Sequence, residues 1–394
     1  MEKIIIQSSS MILPEGLCRG AVAIENGKIS AVYKGDLSQS ADAAVYDAGN
    51  LYVSPGFIDI HTHGAGGHDF MDGTVEAILG AARAHMEHGT TSLVPTSLTC
   101  TDEELFRLYD CFAEAKAAHD GPELLGLHLE GPYFSPAQKG AQDESYLKIP
   151  EPSHVSRILD ACKDVIRVSA APELSYGMEL GDTLKSRGIL ASIGHSDADY
   201  NCVKDAVRHG YSHVTHLYSG MSSLHREGPY RVLGVVESAY LEDALTVEII
   251  ADGVHLPPEL LRLILRSKPL DSICLVTDSM RGAGLEEGAC VKLGSLEKGQ
   301  DVILHNGVAM MPQMNAFAGS ICTADRCIRT IYRLGMLDMW QTVMLMTRNP
   351  ARILGLDDRK GALAPGMDAD VVIFDEDVNV KLVMTGGKVM LNRL

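Results

Sequence analysis

Aromatic residues are scarce in this 394-residue chain, at 5% with a single tryptophan. Long apolar runs are missing, which argues against a helix crossing a bilayer. The apolar core of MEKIIIQSSSMILPEG is too short for a signal peptide. Positive charge is in deficit: 34 Lys and Arg against 52 Asp and Glu give a net charge of −18. A chain that acidic lacks the electrostatic footprint for nucleic acid and for anionic membranes. An anionic substrate would need a local basic pocket. The nine cysteines are odd in number and form no CxxC pair, the usage expected of small buried hydrophobes in a reducing, cytoplasmic compartment. Low-complexity tracts and solenoid repeats are also lacking.

The charged fraction of 22% and hydrophobic fraction of 46% are those of a globular chain with a sizeable core. Both ends read as short strands and turns. KIIIQ, AVAIENGKISAVY with its Asn26-Gly27 hairpin signal, and NLYVSPG lie at the start, and DADVVIFD and VKLVMTGGKVML at the end. Between them, eight apolar runs of strand length begin with GFIDIH (56–61) and TTSLVPT (90–96) and end with LTVEIIA (245–251) and SICLVTD (272–278). Amphipathic helices separate most of them. Val75, Ile78, Leu79, Ala82 and Met86 share one helical face, and Thr101 with Glu104 predicts a capping box. This alternation predicts a (β/α)8 TIM barrel over 56–359, with a small β-sandwich domain built from both termini, 1–55 and 360–394. A doubly wound sheet is the alternative, although no GxGxxG follows the first strand.

In a barrel, catalytic residues belong at the C-terminal ends of strands. Those ends carry His61 and His63, His128 and Glu130, His195, His216, Asp252 with His255, and Asp278. Residues i and i+2 of a strand point the same way, so His61 and His63 converge on one point, as ligands of a divalent ion do. Glu130, His195 and His216 supply one carboxylate and two imidazoles for a catalytic metal with an open position for water. Asp278 is a carboxylate able to take a proton from that water and give it to a leaving group. This is machinery for hydrolysis. His213, three residues from His216, belongs on the opposite strand face, and His68, His85, His88, His119, His154, His209, His225 and His305 read as structural.

PGFIDIHTHG, GLHLEGPY, APE, GHS, VTHLY, ADGVHL, LVTD and FAGS, in this order and spacing, resemble the N-acetylglucosamine-6-phosphate deacetylases of the amidohydrolase superfamily. The resemblance spans nearly the whole chain, including GALAPGMDADVVIFD near its end. Glu130 looks like the substitute for the carboxylated lysine that bridges two metals in many superfamily members. The resemblance implies Glu130, His195 and His216 as the main metal ligands, His61 and His63 as support for a second metal, and Asp278 as the catalytic acid and base. It implies substrate contacts from Gln142 and His255, a sugar-lining stretch at Phe317, Ala318 and Gly319, and Arg226 facing the phosphate. It also implies a homodimer with phosphate contacts crossing the interface. One or two divalent ions per chain are expected, zinc first, with iron or manganese as alternatives.

The family pattern THLFNAM is here THLYSGM, which puts Ser219 and Gly220 where an Asn-Ala pair binds phosphate, and REPG is here REGPYRVLG. After LVTD comes SMRGAGLEEG in place of a small Ala-Thr-rich loop. The metal ligands and Asp278 are intact, so deacetylation is expected. The phosphate end is open: Gly220 could offer an N–H, and Arg226, Arg231 or Arg281 could supply charge. The alternatives are an epimeric or unphosphorylated N-acetylhexosamine. A retired sugar-phosphate-binding barrel, a deaminase or an N-acyl-amino-acid deacylase fit less well, since every ligand is present and HLEGP argues against deaminases.

Overall fold

Runs of β-branched and apolar residues, separated by helices, build eight parallel strands. They are β1 (Phe57–Thr62), β2 (Thr90–Pro95), β3 (Leu127–Glu130), β4 (Val165–Ala170), β5 (Leu190–Ile193), β6 (Tyr211–Val214), β7 (Thr246–Ile250) and β8 (Ile273–Val276). A computed structural model of the chain describes residues 3–35, 43–118, 121–313 and 316–394. His119 lies outside the described residues. The caps form as their spacing predicts: Thr74 Oγ1 accepts from Ala77 N at 3.2 Å, and Thr101 and Glu104 satisfy each other's backbone N–H groups.

The architecture is mixed α/β. The parallel strands pair as a six-stranded sheet in the order β3-β4-β5-β6-β7-β8 and a three-stranded one holding β1, β2 and the short segment Glu123–Leu124. Two links span the gaps. A parallel bridge joins Thr96 to His128, and Asp278 N donates to His61 O at 2.9 Å. Their side chains are buried almost throughout, as parallel strands covered by helices require. Gly89, at φ 92°, enters β2 where a Cβ would fall 2.6 Å from the Phe57 ring, so only glycine fits.

The two ends of the chain meet in one eight-stranded sheet. Its order is Lys388–Asn392, Val380–Thr385, Val371–Phe374, Tyr52–Pro55, Lys3–Leu13, Gly16–Glu25 and Lys28–Lys34, with Ala43–Asp47 beside Lys3–Leu13. Asn26 and Gly27, at φ 56° and 74°, make the expected hairpin turn. A carboxylate-rich knot ties this sheet to the parallel strands: Arg359 and Lys360 bind both Glu123, beside β2, and Asp368.

One element was not expected. The chain after β8 forms a four-stranded antiparallel sheet, Cys290–Leu293, Gln300–His305, Val308–Met310 and Phe317–Ser320. Arg281 anchors it. Buried, it donates from Nε to Lys292 O at 2.7 Å and pairs with Asp72 at 2.8 Å. That spends its charge on structure, so it is not a free cation for a substrate, contrary to one expectation from the sequence.

Candidate active site

The ends of three parallel strands, β1, β5 and β6, converge on Glu130 at the end of β3. His216 Nε2 lies 3.0 Å from its Oε1, His195 Nε2 3.4 Å and His61 Nε2 3.4 Å, while His63 Nε2 lies 3.3 Å from Oε2. The two nitrogens of His195 and His216 are 3.2 Å apart. Atoms bound at about 2.0–2.2 Å to one tetrahedral ion stand about 3.3 Å from each other, so Glu130, His195 and His216 fit a divalent cation. His61, His63 and Glu130 form a second such group that shares the carboxylate. His61 Nε2 is buried without a hydrogen-bond partner and faces two carboxylates, Glu130 and Asp278, each at 3.4 Å. A buried ring nitrogen without a partner, set between two carboxylates, is a polar atom whose place a cation would suit.

Asp278 Oδ1 lies 3.2 Å from His63 Nε2. Burial pushes its carboxyl up, yet the His61 and His63 imidazoles hold it below the ordinary aspartate value. Burial likewise raises Glu130, and His61, His195 and His216 hold it well below the usual range. Both carboxylates are thus anionic at neutral pH, as metal ligation and proton abstraction require.

The cluster opens into a cavity of about 290 Å³ lined by His63, Glu130, Gln142, His195, His216, Tyr218, Ser219, Gly220, His255, Asp278, Phe317 and Gly319, among others. Ala318 faces away, buried in the core of the inserted sheet. Arg226 does not line this cavity; it sits on an exposed hairpin, His225–Glu227 with Tyr230–Val232. Gln142 has its amide engaged at both ends. Its Oε1 accepts from Thr99 N and Oγ1, both at 3.0 Å, and its Nε2 donates to Glu130 Oε2 at 2.7 Å. Its first role is to hold Glu130. His255 is fixed by Asp252, whose Oδ2 lies 2.7 Å from Nδ1, and its ring packs on Phe317 at 4.6 Å.

A family model described as the amidohydrolase family matches residues 52–390. The chain belongs to that family. Within it, the chain is 33% identical to an N-acetylglucosamine-6-phosphate deacetylase of Bacillus subtilis (strain 168), over 98% of this chain and 97% of that one. The deacetylase of Homo sapiens is 32% identical, over 87% and 84%. Among solved structures, a mutant N-acetyl-D-glucosamine-6-phosphate deacetylase from Mycobacterium smegmatis in complex with N-acetyl-D-glucosamine-6-phosphate superposes with TM-score 0.91 at 30% identity, covering all of both chains. The Thermotoga maritima deacetylase gives 0.87 at 28% identity, over 98% of this chain and 99% of that one.

The amidohydrolase places three of its site residues in left-handed backbone: His195 at φ 48°, His216 at 25° and Asp278 at 45°. Such positions cost energy for non-glycine residues and cluster where side chains must be aimed. The kink explains a departure from the expected geometry. β6 ends at Val214, so His216 is no longer in strand register with His213. Both point inward: His213 Nε2 lies 3.3 Å from Glu248 and His216 Nε2 lines the cluster. His128 is occupied by Ser169 Oγ at 2.7 Å and Thr96 Oγ1 at 3.2 Å, below the ligand layer. Sequence reasoning did not single out Thr99, Arg167 or Glu248. The one available signal was a lone charge in each of two otherwise apolar strands, VIRVSA and TVEII.

Proposed function

We infer that the protein is a metal-dependent hydrolase that removes acetate from N-acetyl-D-glucosamine 6-phosphate to give glucosamine 6-phosphate. The observation that carries this is Glu130 shared between two imidazole pairs, with Asp278 3.2 Å from His63 at the floor of the cavity. We read the two parallel sheets as one (β/α)8 barrel over 56–359, and the terminal sheet, from 1–55 and 360–394, as a small β-sandwich. A cytoplasmic location fits the nine free cysteines.

A divalent ion held by Glu130, His195 and His216, zinc first among candidates, with a second at His61 and His63, would acidify water and polarise the acetyl carbonyl. Asp278 takes the proton from the attacking water and returns it to the departing nitrogen, so that amide plus water becomes acetate plus amine. His255, held through Nδ1 by Asp252, turns Nε2 toward the cavity to hydrogen-bond the substrate. Phe317 and Gly319 lie along the sugar.

The phosphate end supports a dimer. Among the described residues, none that lines the cavity is Lys or Arg. On the exposed hairpin Arg226 stands directly opposite Arg231 in the register. Like charges facing each other across strands are unfavourable until an anion lies between them. In a homodimer the partner subunit's Arg226 would supply the missing charge, with Ser219 and Gly220 offering backbone N–H groups. The alternative, an unphosphorylated or epimeric N-acetylhexosamine, is favoured by the same cation-free cavity. Acetate release from N-acetylglucosamine 6-phosphate, its galactosamine epimer and unphosphorylated N-acetylglucosamine decides between them. The phosphorylated glucosamine form is expected to win, with Arg226→Ala raising its KM at least tenfold. A preference for either other sugar overturns the substrate assignment.

A further inference from the structure

Beneath the candidate metal ligands lies a fully buried ion pair that the hydrolysis itself does not use. Arg167 on β4 and Glu248 on β7 are both 0% exposed, and Arg167 Nη1 donates to Glu248 Oε2 at 2.7 Å. Four of the five guanidinium N–H donors are engaged: Nη1 also reaches Ile60 O at 3.1 Å, Nε reaches Ser192 Oγ at 3.1 Å, and Nη2 reaches Thr215 Oγ1 at 3.2 Å. A buried pair of this kind is weak evidence for stability, because desolvation of two charges offsets their attraction. The other carboxylate oxygen points elsewhere. Glu248 Oε1 lies 2.6 Å from His61 Nδ1 and accepts from His216 N at 3.0 Å. One oxygen therefore touches a candidate ligand from each of the two metal groups.

We infer that Glu248, locked by Arg167, is a positioning residue that fixes His61 as the Nδ1–H tautomer and aims its bare Nε2 at the metal site. A carboxylate can only accept, so the proton of the short His61–Glu248 bond belongs to Nδ1. In the neutral ring that metal ligation requires, that leaves Nε2 as the lone pair, the same atom that is buried without a partner between Glu130 and Asp278. Arg167 keeps the carboxylate from rotating away through its 2.7 Å bond to Oε2, beside which the 3.3 Å contact from His213 is minor. His213, Glu248 and Cys274 could themselves be taken for a cation site, but the Arg167 guanidinium already occupies that oxygen. Partners of metal-ligating imidazoles typically change metal affinity by about 10–100-fold when removed.

This proposal rests on His61 being a metal ligand, and two measurements separate its failure from failure of that reading. In the zinc-loaded wild-type protein labelled with 15N-histidine, long-range 1H–15N spectra identify the His61 ring by its loss in His61→Ala. A protonated Nδ1 and a metal-bound Nε2 are expected, and ligation through Nδ1 overturns the proposal whether or not any variant folds. Cobalt(II) titration of the metal-stripped protein, followed by its visible bands, gives the affinity of the step that His61→Ala abolishes. Glu248→Gln should weaken that step about 10–100-fold, while His213→Asn, which touches Glu248 but no candidate ligand, should leave it unchanged. An unaltered step in Glu248→Gln, or an equal loss in both variants, overturns the positioning role alone. Absence of any His61-dependent step in the wild type overturns the metal reading along with it.

Discussion

Replacing Glu123 by Gln should destabilise the protein at neutral pH and do so less as the pH falls. Glu123 receives Arg359 in a two-point bond at 2.7 and 3.0 Å and Lys360 at 2.8 Å. Lys360 continues to Asp370 at 2.6 Å, so the cluster ties the parallel strands to the terminal sheet. Burial pushes the Glu123 carboxyl up, but the Arg359 bond and the Lys360 charge outweigh it and bring it from 4.5 to about 2. A folded-state value below the unfolded one contributes stability that is complete above pH ~4.5 and is lost as the pH falls toward ~2. The displacement corresponds to at most about 3 kcal/mol. The side chain is 32% exposed, and solvent screening reduces the figure to about 1–2 kcal/mol. For a chain of this length that is a fall in Tm of about 1–3 °C. Thermal unfolding of wild type and Glu123→Gln at pH 7 and near pH 3 checks this, with the difference shrinking by roughly half at the lower pH. An equal difference at both pH values, or none at pH 7, would refute the reasoning.

Gln142→Leu removes the donor to Glu130 Oε2 and leaves Thr99 N without its acceptor. It should lower kcat about 10–100-fold with little change in KM; a rise in KM alone would mark Gln142 as a substrate contact instead. Gly220→Ala places a Cβ 2.7 Å from His195 Nδ1 at a φ of 56°. Beyond about 1 kcal/mol of backbone cost, it should push the ring off Gln138 O, which it meets at 2.9 Å. Faster loss of activity in a chelator than wild type is the expected result, and wild-type resistance would count against the assignment of His195.

The strands and most of the site were legible because each depends on local pattern. Hydrophobic runs mark the eight parallel strands, although the run 213–218 shares only residues 213 and 214 with β6. The Thr101/Glu104 pair marks its helix, and the pairing of His61 with His63, one residue past β1, follows from strand periodicity. The inserted sheet was hidden by its composition, since CVKL and DVILH are short and lie beside a Gly- and Glu-rich loop. One sign was there: Asn306-Gly307, at φ 52° and 77°, is the same hairpin turn as Asn26-Gly27. What sequence could not give was direction. The left-handed kinks at His195, His216 and Asp278, the engagement of the Gln142 amide by Thr99 and Glu130, and the burial of Arg281 depend on residues distant along the chain.

The most direct test of hydrolysis at this site is acetate released per free amine formed from N-acetylglucosamine 6-phosphate, in wild type and Asp278→Asn loaded with the same divalent metal. One acetate per amine, lost on chelation and reduced about 10²–10⁴-fold in the variant, is the expected result. Wild-type turnover in Asp278→Asn, or no release by the metal-loaded wild type, would contradict it.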